Sequence, residues 1–313
     1  MKQTATNKFL KAVSQGHEYI PIKVNSLRLD TITHFDLFIQ ASPGEPEVLY
    51  ADHKVLFDEK SRRRLEDNDV LYLYIHSDQL PQYRRYVETN MPQILTDITV
   101  PMEEKTQLLH LTAQGIVRDV FEAADMSEGL ERGNAVVKNT IDFLFGQRAS
   151  LRHLVKSASL DYELYTHSIN VCVMGLALAQ RMGYSTEKLI DFGYGAMFRD
   201  IGMKNVDEKI LDKTSSLSVS EFLKVKQHPL DSEQMLKEMG VDSEITLAVV
   251  RHHHEKMNGT GYPDGLKGDE IPELVRLCTV IDIFDALTTN RKHKKALSSY
   301  EALKVMSKEM REE

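Results

Sequence analysis

Carboxylates interrupt apolar helical segments in the second half of this sequence. Asp200 ends the segment LIDFGYGAMFRD, in which Leu189 and Ala196 lie on the same helix face. Asp282 and Asp285 are embedded in LCTVIDIFDAL. A buried carboxylate is costly, and its usual remedies are pairing with a cation or binding a metal ion. These aspartates therefore predict a site that is both charged and buried.

Histidines occur in the same kind of segment. His167 lies four residues after Glu163, so the two share a helix face, and that face continues into apolar positions. The helix that the capping sequence SVSE begins is predicted to reach His228 and to kink or stop there, because Pro229 removes a backbone donor and disfavours helical geometry at the residue before it. A helix that stops there would aim the His228 imidazole inward.

The segment RHHHEKMNGTGYPDG places three histidines directly before a glycine-rich turn. Adjacent helical residues are separated by about 100°, so His253 and His254 cannot both serve one small face. They can flank two neighbouring ions, with Asp200 as a candidate bridge, or one ion and a substrate. Each residue alone would fit a core histidine or a helix cap. The set as a whole is typical of a metal site built between helices. Nitrogen and oxygen ligands without a thiolate suit Fe, Mn or Zn and leave the identity of the metal open.

Composition limits the class of protein that carries these residues. The chain has 313 residues, 42% of them hydrophobic and 27% charged, which is ordinary for a globular protein of about two domains. A net charge of -8 argues against nonspecific binding to a nucleic-acid polymer or to an anionic membrane. Cys172 and Cys278 lie in apolar runs and are expected to be buried free thiols. We find no signal peptide and no apolar run long enough for a membrane span, so a cytoplasmic location is expected.

The hydrophobic pattern predicts an α+β multidomain protein. Residues 1–88 alternate in the period of strands, in YIPIKVNSLRL, HFDLFIQA and VLYLYIH, and predict a small N-terminal α/β regulatory domain without a catalytic set. Residues 89–148 are predicted to form a helical connector, and residues 149–313 an all-α helical bundle. A homodimer through 105–145, or a signalling protein bound by the N-terminal domain, is the expected protein partner. The polar segment 204–217 is a candidate lid.

The order of short motifs in the C-terminal half resembles the HD-GYP family. The matching residues, in chain order, are His167-Ser168, Asp200-Ile-Gly202, His228-Pro229, His253-His254-Glu255, Gly259-Thr-Gly261-Tyr262-Pro263, Asp282-Ile-Phe-Asp285-Ala286 and Arg291. The resemblance covers about residues 151–313. The N-terminal half also resembles, more weakly, a small domain often joined to this family. The resemblance implies a helical HD-type bundle that acts as a metal-dependent phosphodiesterase on cyclic di-GMP, a bacterial second messenger.

The resemblance also implies which residues form the site. It implies two divalent transition-metal ions, with iron expected ahead of manganese or zinc, and no catalytic group beyond a metal-bound water. The implied metal ligands are His167, Asp200, His228, His253, His254 and Asp282. Glu163 matches a ligand of an optional third ion. Arg291 and Lys294 match residues that hold substrate phosphate, and Tyr262 of the GYP motif is expected beside the substrate. His252 has no counterpart in the motif and is expected to be solvated.

Three positions depart from the HD-GYP pattern. Arg199 stands where the family has the histidine of its His-Asp pair, and a guanidinium has no lone pair to offer a metal. Either one ion loses a ligand or the guanidinium contacts a substrate phosphate. Met203 replaces a lysine, and Asn258 replaces an aspartate. The leading hypothesis is a cyclic di-GMP phosphodiesterase weakened by Arg199 and Met203. The alternatives are a catalytically degenerate module that binds metal or cyclic nucleotide, and a hydrolase of another phosphoester.

Overall fold

The protein divides into two compact units in a computed structural model, which describes residues 5–42, 44–146, 153, 164–213, 215–290 and 295–309. The first unit is Met1–Thr112 and the second is Ala113–Glu313. The division falls inside a helix, Met102–Glu122, that the sequence assigns to the connector. The predicted three-part division at 1–88, 89–148 and 149–313 stays a prediction.

The N-terminal unit combines helices with a small antiparallel sheet. Its elements are α1 (Ala5–Ser14), β1 (Tyr19–Lys23), β2 (Thr31–Ile32), β3 (Leu37–Ile39), β4 (Val48–Ala51), β5 (Leu56–Phe57), α2 (Glu59–Asp67), β6 (Tyr72–His76), α3 (Leu80–Thr96) and α4 (Met102–Glu122). The main sheet has the order β1-β6-β3-β4, and β2 pairs with β5. Ile20 and Ile22 of β1 lie next to Ile75 and Leu73 of β6, and all four are buried. This inward face produces the period-two pattern of the sequence.

The three strands predicted from alternation are present as β1, β3 and β6. The polar segment after β5 is the helix α2, and Asp58 caps it by accepting a hydrogen bond from the Ser61 amide. The alternation pattern did not indicate α1 or the short β4. Strand β4 is an edge strand whose Val48 and Leu49 are exposed, so it lacks the buried face that makes a strand visible in a sequence.

The secondary structure described for the C-terminal unit consists of helices and 3-10 turns, apart from an isolated bridge between Asn258 and Lys267. Its elements are α5 (Ser127–Gly146), α6 (Leu164–Arg181), α7 (Thr186–Phe198), a 3-10 turn (Ile201–Asn205), α8 (Glu208–Leu211), α9 (Val219–Val225), α10 (His228–Glu238), α11 (Glu244–His252), a 3-10 turn (Gly268–Glu270), α12 (Glu273–Thr288) and α13 (Ser299–Glu309). A mostly helical chain with a small N-terminal sheet agrees with the predicted α+β layout.

Close helix packing positions the site. Helix α6 packs against α7 and α12, and α7 packs against α11. Gly175 makes the first contact possible, because a Cβ there would lie 2.7 Å from the ring of Phe192. Gly202 has the same role in the 3-10 turn, where a Cβ would collide with the carbonyl oxygen of His228. Its amide donates to the Ser232 hydroxyl at 2.8 Å, so the turn that follows Asp200 lies directly on α10.

Among the described residues, no helix is both long enough and apolar enough to cross a membrane. Cys172 and Cys278 are buried free thiols, as predicted, and burial raises the pKa of each to about 12. The predicted cytoplasmic location stays a prediction.

Candidate metal centre

Three side chains from three elements converge at the centre of the helical unit. Asp200 follows α7, His228 is the first residue of α10, and His253 follows α11. The Nε2 atoms of His228 and His253 are 3.3 Å apart, and they lie 3.3 and 3.5 Å from Oδ1 of Asp200. His228 and His253 are almost completely buried, and Asp200 is 5% exposed.

The predicted interruption beside His228 is present, but the helix that SVSE begins does not reach this residue. Helix α9 ends at Val225, and His228 begins α10, with Pro229 in the first turn of the new helix. A proline is tolerated in a first turn because its missing N–H would have no intrahelical partner there. The capping box of Ser218 and Glu221 is present at the start of α9, as predicted.

Backbone hydrogen bonds fix which ring nitrogen of each histidine carries the proton. Nδ1 of His228 lies 2.7 Å from the carbonyl oxygen of Val225, and Nδ1 of His253 lies 2.8 Å from that of Val250. A carbonyl only accepts, so each Nδ1 donates, and each neutral ring therefore has its lone pair on Nε2. Two nitrogen lone pairs and a carboxylate oxygen then point at one another. With both rings neutral, no hydrogen bond joins these three atoms, and a bound cation would account for their arrangement.

His254 completes this set of donors. One donor atom from each of Asp200, His228, His253 and His254 lies within 4.8 Å of the others. Burial, and the neighbouring His253, lower the pKa of His254 well below its usual range. Burial opposes ionisation of Asp200, but the Arg199 guanidinium and the two histidines outweigh it and hold the pKa of Asp200 well below its usual range. Neutral imidazoles and an ionised carboxylate are the forms that bind a divalent cation.

The other two predicted ligands, His167 and Asp282, form a second group with Asp200. Nε2 of His167 lies 3.0 Å from Oδ1 of Asp282, and Nδ1 lies 2.7 Å from Oδ2 of Asp285. Burial and Arg199 lower the pKa of His167, but the two carboxylates outweigh them, so the net pKa is raised. His167 therefore faces two carboxylates, and the electrostatics favour its protonated form.

Arg199 lies inside this second group. Its side chain is 0% exposed. Nε and Nη2 donate to Oδ1 of Asp282 at 3.1 and 2.7 Å, and Nη2 lies 3.1 Å from Oδ2 of Asp200. Nη1 donates to the carbonyl oxygen of Ala196 at 2.8 Å. The guanidinium is thus engaged by the site's own carboxylates and is not directed at a substrate phosphate. The structure brings all six predicted ligands together in two groups that share Asp200, and Arg199 lies in the group of His167 and Asp282.

Glu255, the residue after the histidines, shapes the loop of residues 258–266, which contains the GYP motif and is called the GYP loop below. Its carboxylate is buried and accepts hydrogen bonds from the amides of Asp264, Gly265 and Leu266 at 2.7, 3.0 and 3.1 Å. Gly261 lets the loop return over this residue, because a Cβ there would lie 2.5 Å from Cα of Glu255. Glu255 belongs to the His253-His254-Glu255 motif, but the sequence alone did not predict a role for it. Its position next to a predicted ligand, ahead of a glycine-rich turn, was the available signal.

The loop places Tyr262 against the centre. The ring centroids of Tyr262 and His254 are 4.8 Å apart. His252, expected to be solvated, is instead only 16% exposed, and its Nδ1 lies 3.4 Å from Oδ2 of Asp264. Arg251 holds the same aspartate with two hydrogen bonds, of 2.7 and 2.9 Å. Of the three consecutive histidines, His252 therefore contacts the loop, and His253 and His254 are candidate metal ligands.

Lys226 is a cation that the sequence analysis missed. Its Nζ lies 4.9 Å from the centroid of the Tyr262 ring, and the side chain is partly exposed. Lys204, the residue next to Met203, points elsewhere, since its Nζ donates to the carbonyl oxygen of Ala123. Lys226 thus brings a positive charge to the rim that carries Tyr262. The signal was its position two residues before His228.

Several predicted residues lie outside the described part of the chain. These are Glu163, Arg291 and Lys294. The candidate lid, 204–217, contains α8 and the start of the loop to α9, and its role as a lid stays a prediction. The side chain of Asn258 accepts hydrogen bonds from the amide and hydroxyl of Thr260, so it stabilises the start of the GYP loop.

The fold and the site define a class of protein. Residues 145–312 match the HD domain family, so the chain belongs to that family. The resemblance to HD-GYP proteins is confirmed. A solved structure of an HDG"Y"P protein from Bdellovibrio bacteriovorus has the same fold, with a TM-score of 0.63, 22% identity and 92% of each chain covered.

Curated relatives carry names of cyclic dinucleotide phosphodiesterases. A cyclic di-GMP phosphodiesterase of Pseudomonas aeruginosa is 31% identical over 222 residues, 69% of this chain and 54% of its own. A 3'3'-cGAMP-specific phosphodiesterase of Vibrio cholerae is 37% identical over 46% of this chain and 31% of its own. A cyclic di-GMP phosphodiesterase of Thermotoga maritima is 33% identical over 49% of this chain and 41% of its own. The chain thus spans about half or less of the length of these relatives.

Proposed function

We propose that this protein is a metal-dependent phosphodiesterase that hydrolyses a cyclic dinucleotide, with cyclic di-GMP as the first substrate to test. The observation that carries the proposal is the convergence of Asp200, His228, His253 and His254 beside the GYP loop. The names of the relatives support the same substrate class. Cyclic di-GMP and 3'3'-cGAMP share the phosphodiester bonds that such an enzyme would cleave.

Each residue of the centre has a task in this proposal. Asp200, His228, His253 and His254 would hold the ion, for which we propose iron, with manganese or zinc as the other candidates. When bound, such an ion supplies Lewis-acid activation of water and of a phosphoryl oxygen. The backbone contacts of His228 and His253 keep each Nε2 lone pair directed at the ion.

Residues around the centre would bind the substrate. Tyr262 offers a ring face at the rim, and a guanine base can stack on such a face. Lys226 places its ammonium near this ring, where it would attract a phosphate. Arg291 and Lys294 are proposed to contribute further phosphate contacts, as the HD-GYP resemblance implies.

Turnover of cyclic dinucleotides tests the proposal. The full chain would be purified without oxygen, its metals counted in the same sample, and cyclic di-GMP and 3'3'-cGAMP supplied separately, with products resolved by chromatography. We expect linear or mononucleotide product from the wild type and none from Asp200→Ala or His228→Ala. Metal-loaded protein that cleaves neither nucleotide would contradict the proposal.

A second candidate function is a degenerate module that binds a cyclic nucleotide without cleaving it. The observation in its favour is Arg199, whose guanidinium pairs with Asp200 and Asp282 and removes a histidine from the family's set of ligands. Calorimetric titration separates the two functions. Tight binding of cyclic di-GMP by metal-loaded protein that yields no product over hours would establish the binding module.

A further inference from the structure

We infer that the guanidinium of Arg199 permanently takes the place of a second metal ion, so that the centre holds one ion where the HD-GYP resemblance implies two. This inference rests on the proposed metal centre and adds to it the number of ions that the centre holds. It follows from the contacts of Arg199, Asp200 and Asp282, each of which argues against a second cation at the same place.

The first argument is that one carboxylate oxygen of Asp282, Oδ1, is already occupied. Oδ1 of Asp282 accepts from Nε and Nη2 of Arg199 at 3.1 and 2.7 Å, and Nε2 of His167 lies 3.0 Å from the same oxygen. Three nitrogen groups therefore surround one carboxylate oxygen. An ion bound there would have to displace an arginine hydrogen bond that is charge-assisted at both ends.

The second argument is the way in which Asp200 divides its two oxygens. Oδ1 faces the Nε2 atoms of His228 and His253, at 3.3 and 3.5 Å. Oδ2 faces Nη2 of Arg199, at 3.1 Å. A carboxylate that bridges two metal ions would present one oxygen to each. Here the same bridge joins one ion site to a guanidinium.

The third argument is burial and charge. The Arg199 side chain is 0% exposed, and its Nη1 is tied to the carbonyl oxygen of Ala196. The guanidinium therefore cannot move into solvent without breaking the hydrogen bonds that Nε, Nη1 and Nη2 donate. It also cannot lose its proton at any pH the protein survives. A divalent ion beside it would add strong repulsion in a buried environment of low dielectric.

His167 agrees with this arrangement. Its two ring nitrogens lie 3.0 and 2.7 Å from carboxylate oxygens of Asp282 and Asp285. Nε2 of His167 therefore faces the same Asp282 oxygen that Arg199 holds. His167 then acts as a positioning residue that holds the Asp282 carboxylate against Arg199.

Metal counting on variants of Arg199 tests the inference. Anaerobic protein would be loaded with excess Fe(II) and, in parallel, with Mn(II), desalted, and analysed by inductively coupled plasma mass spectrometry. We expect one ion per chain in the wild type. Arg199→His removes the guanidinium and supplies an imidazole, and it should bind a second ion. Arg199→Lys keeps a positive charge and should still bind one.

Two ions in the wild type would overturn the inference, and so would a single ion in Arg199→His. No ion in the wild type would overturn it together with the metal centre of the proposed function. One ion per chain without any turnover would agree with the inference and contradict only the proposed activity. The two failures are therefore distinguishable.

A pair of histidine variants keeps the test valid if Arg199→His does not fold. The pair is His167→Ala and His228→Ala, which remove one histidine from each group. With one ion at the His228 group, His228→Ala should lose it and His167→Ala should keep it. Loss of an ion in both variants would mean that both groups bind metal and would overturn the inference.

Discussion

Among single residues, one substitution dominates the site. Arg199 carries a fixed positive charge where a metal ligand is expected from the HD-GYP pattern, and two carboxylates compensate it. Burial disfavours the charge of Arg199, but Asp200 and Asp282 outweigh it and raise its pKa above the ordinary range. Burial likewise opposes ionisation of Asp282, and Arg199 outweighs it, so the pKa of Asp282 is lowered.

Removing Arg199 should therefore destabilise the helical unit even without metal. Arg199→Ala leaves Asp200 and Asp282 buried without the guanidinium that both contact, and breaking a buried pair in this way costs about 3–5 kcal/mol. Adding Asp282→Asn should recover part of that loss, because the uncompensated charge is gone. Chemical denaturation of chelator-treated protein measures both free energies of unfolding. Strictly additive effects of the two changes would contradict the pairing.

Lys226 should contribute to substrate binding rather than to chemistry. Lys226→Ala removes the ammonium beside Tyr262, and we expect KM for cyclic di-GMP to rise about 5–10-fold with kcat nearly unchanged, equivalent to about 1–1.4 kcal/mol of binding. Lys224 is exposed on the same helix, so Lys224→Ala is the matched control. Steady-state kinetics with equal KM values for the two variants would count against this role.

Among the elements, the GYP loop depends on one buried carboxylate. Glu255 accepts three backbone hydrogen bonds from the loop. Glu255→Gln keeps the size but loses the charge and offers one acceptor oxygen instead of two, and a lost charge-assisted hydrogen bond costs about 1–3 kcal/mol. We expect faster amide hydrogen exchange at Asp264, Gly265 and Leu266.

The matched control for the loop is Glu270→Gln. Glu270 also accepts a backbone hydrogen bond, from the Lys267 amide at 2.8 Å, but it is exposed. Its substitution should leave exchange at 264–266 unchanged. The same exchange rates in both variants would show that Glu255 is not what orders the loop.

A second prediction for an element concerns the end of α3. Arg28 is 6% exposed and donates to Oδ2 of Asp97 at 2.6 Å. Burial raises the pKa of Asp97, but hydrogen bonds from Thr99 and Arg28 outweigh it and lower the pKa to about 2. A lowered pKa stabilises the fold above the unfolded value near 4, and this stabilisation is lost as the pH falls from about 4 to 2.

Asp97→Asn should therefore be less stable than the wild type at pH 7 by about 1 kcal/mol, a value reduced for solvent screening because the carboxylate is partly exposed. The difference should shrink as the pH falls from about 4 to 2, so it should be smaller at pH 3 than at pH 7. Calorimetric unfolding of both proteins at pH 7 and at pH 3 measures it. A difference that is the same at both pH values would contradict the linkage.

For the molecule as a whole, the two compact units give metal removal a specific signature. The candidate centre lies entirely in Ala113–Glu313, so a chelator should destabilise that unit and leave the unfolding of Met1–Thr112 unchanged. Loss of an ion bound at about 100 times its Kd removes about 2.7 kcal/mol, or roughly 5–10 °C of Tm for a unit of this size.

Calorimetry with and without chelator checks this, with His228→Ala as the control that should not respond. A chelator shift that persists in His228→Ala would place the metal elsewhere.

The class of the fold could be predicted from the sequence alone, and the sequence also predicts which residues form the candidate site. Carboxylates and histidines in apolar helices are forced into the interior, and buried groups of this kind need one another. Local pattern and family motifs together therefore group His167, Asp200, His228, His253, His254 and Asp282. Period-two alternation located β1, β3 and β6, because each of these strands has a buried face. The predicted capping box of Ser218 and Glu221 does begin its helix, since capping is a local interaction.

The way in which those residues share their contacts depends on tertiary packing. Whether Arg199 faces a substrate or the aspartates is set by the packing of α7 against α6 and of α6 against α12, which brings residues 83 positions apart into contact. His228 begins a helix instead of ending one, and Gly202 lets the 3-10 turn lie on that helix. Local sequence records the chemistry of each side chain, but the partner of a buried charge is set by long-range contacts.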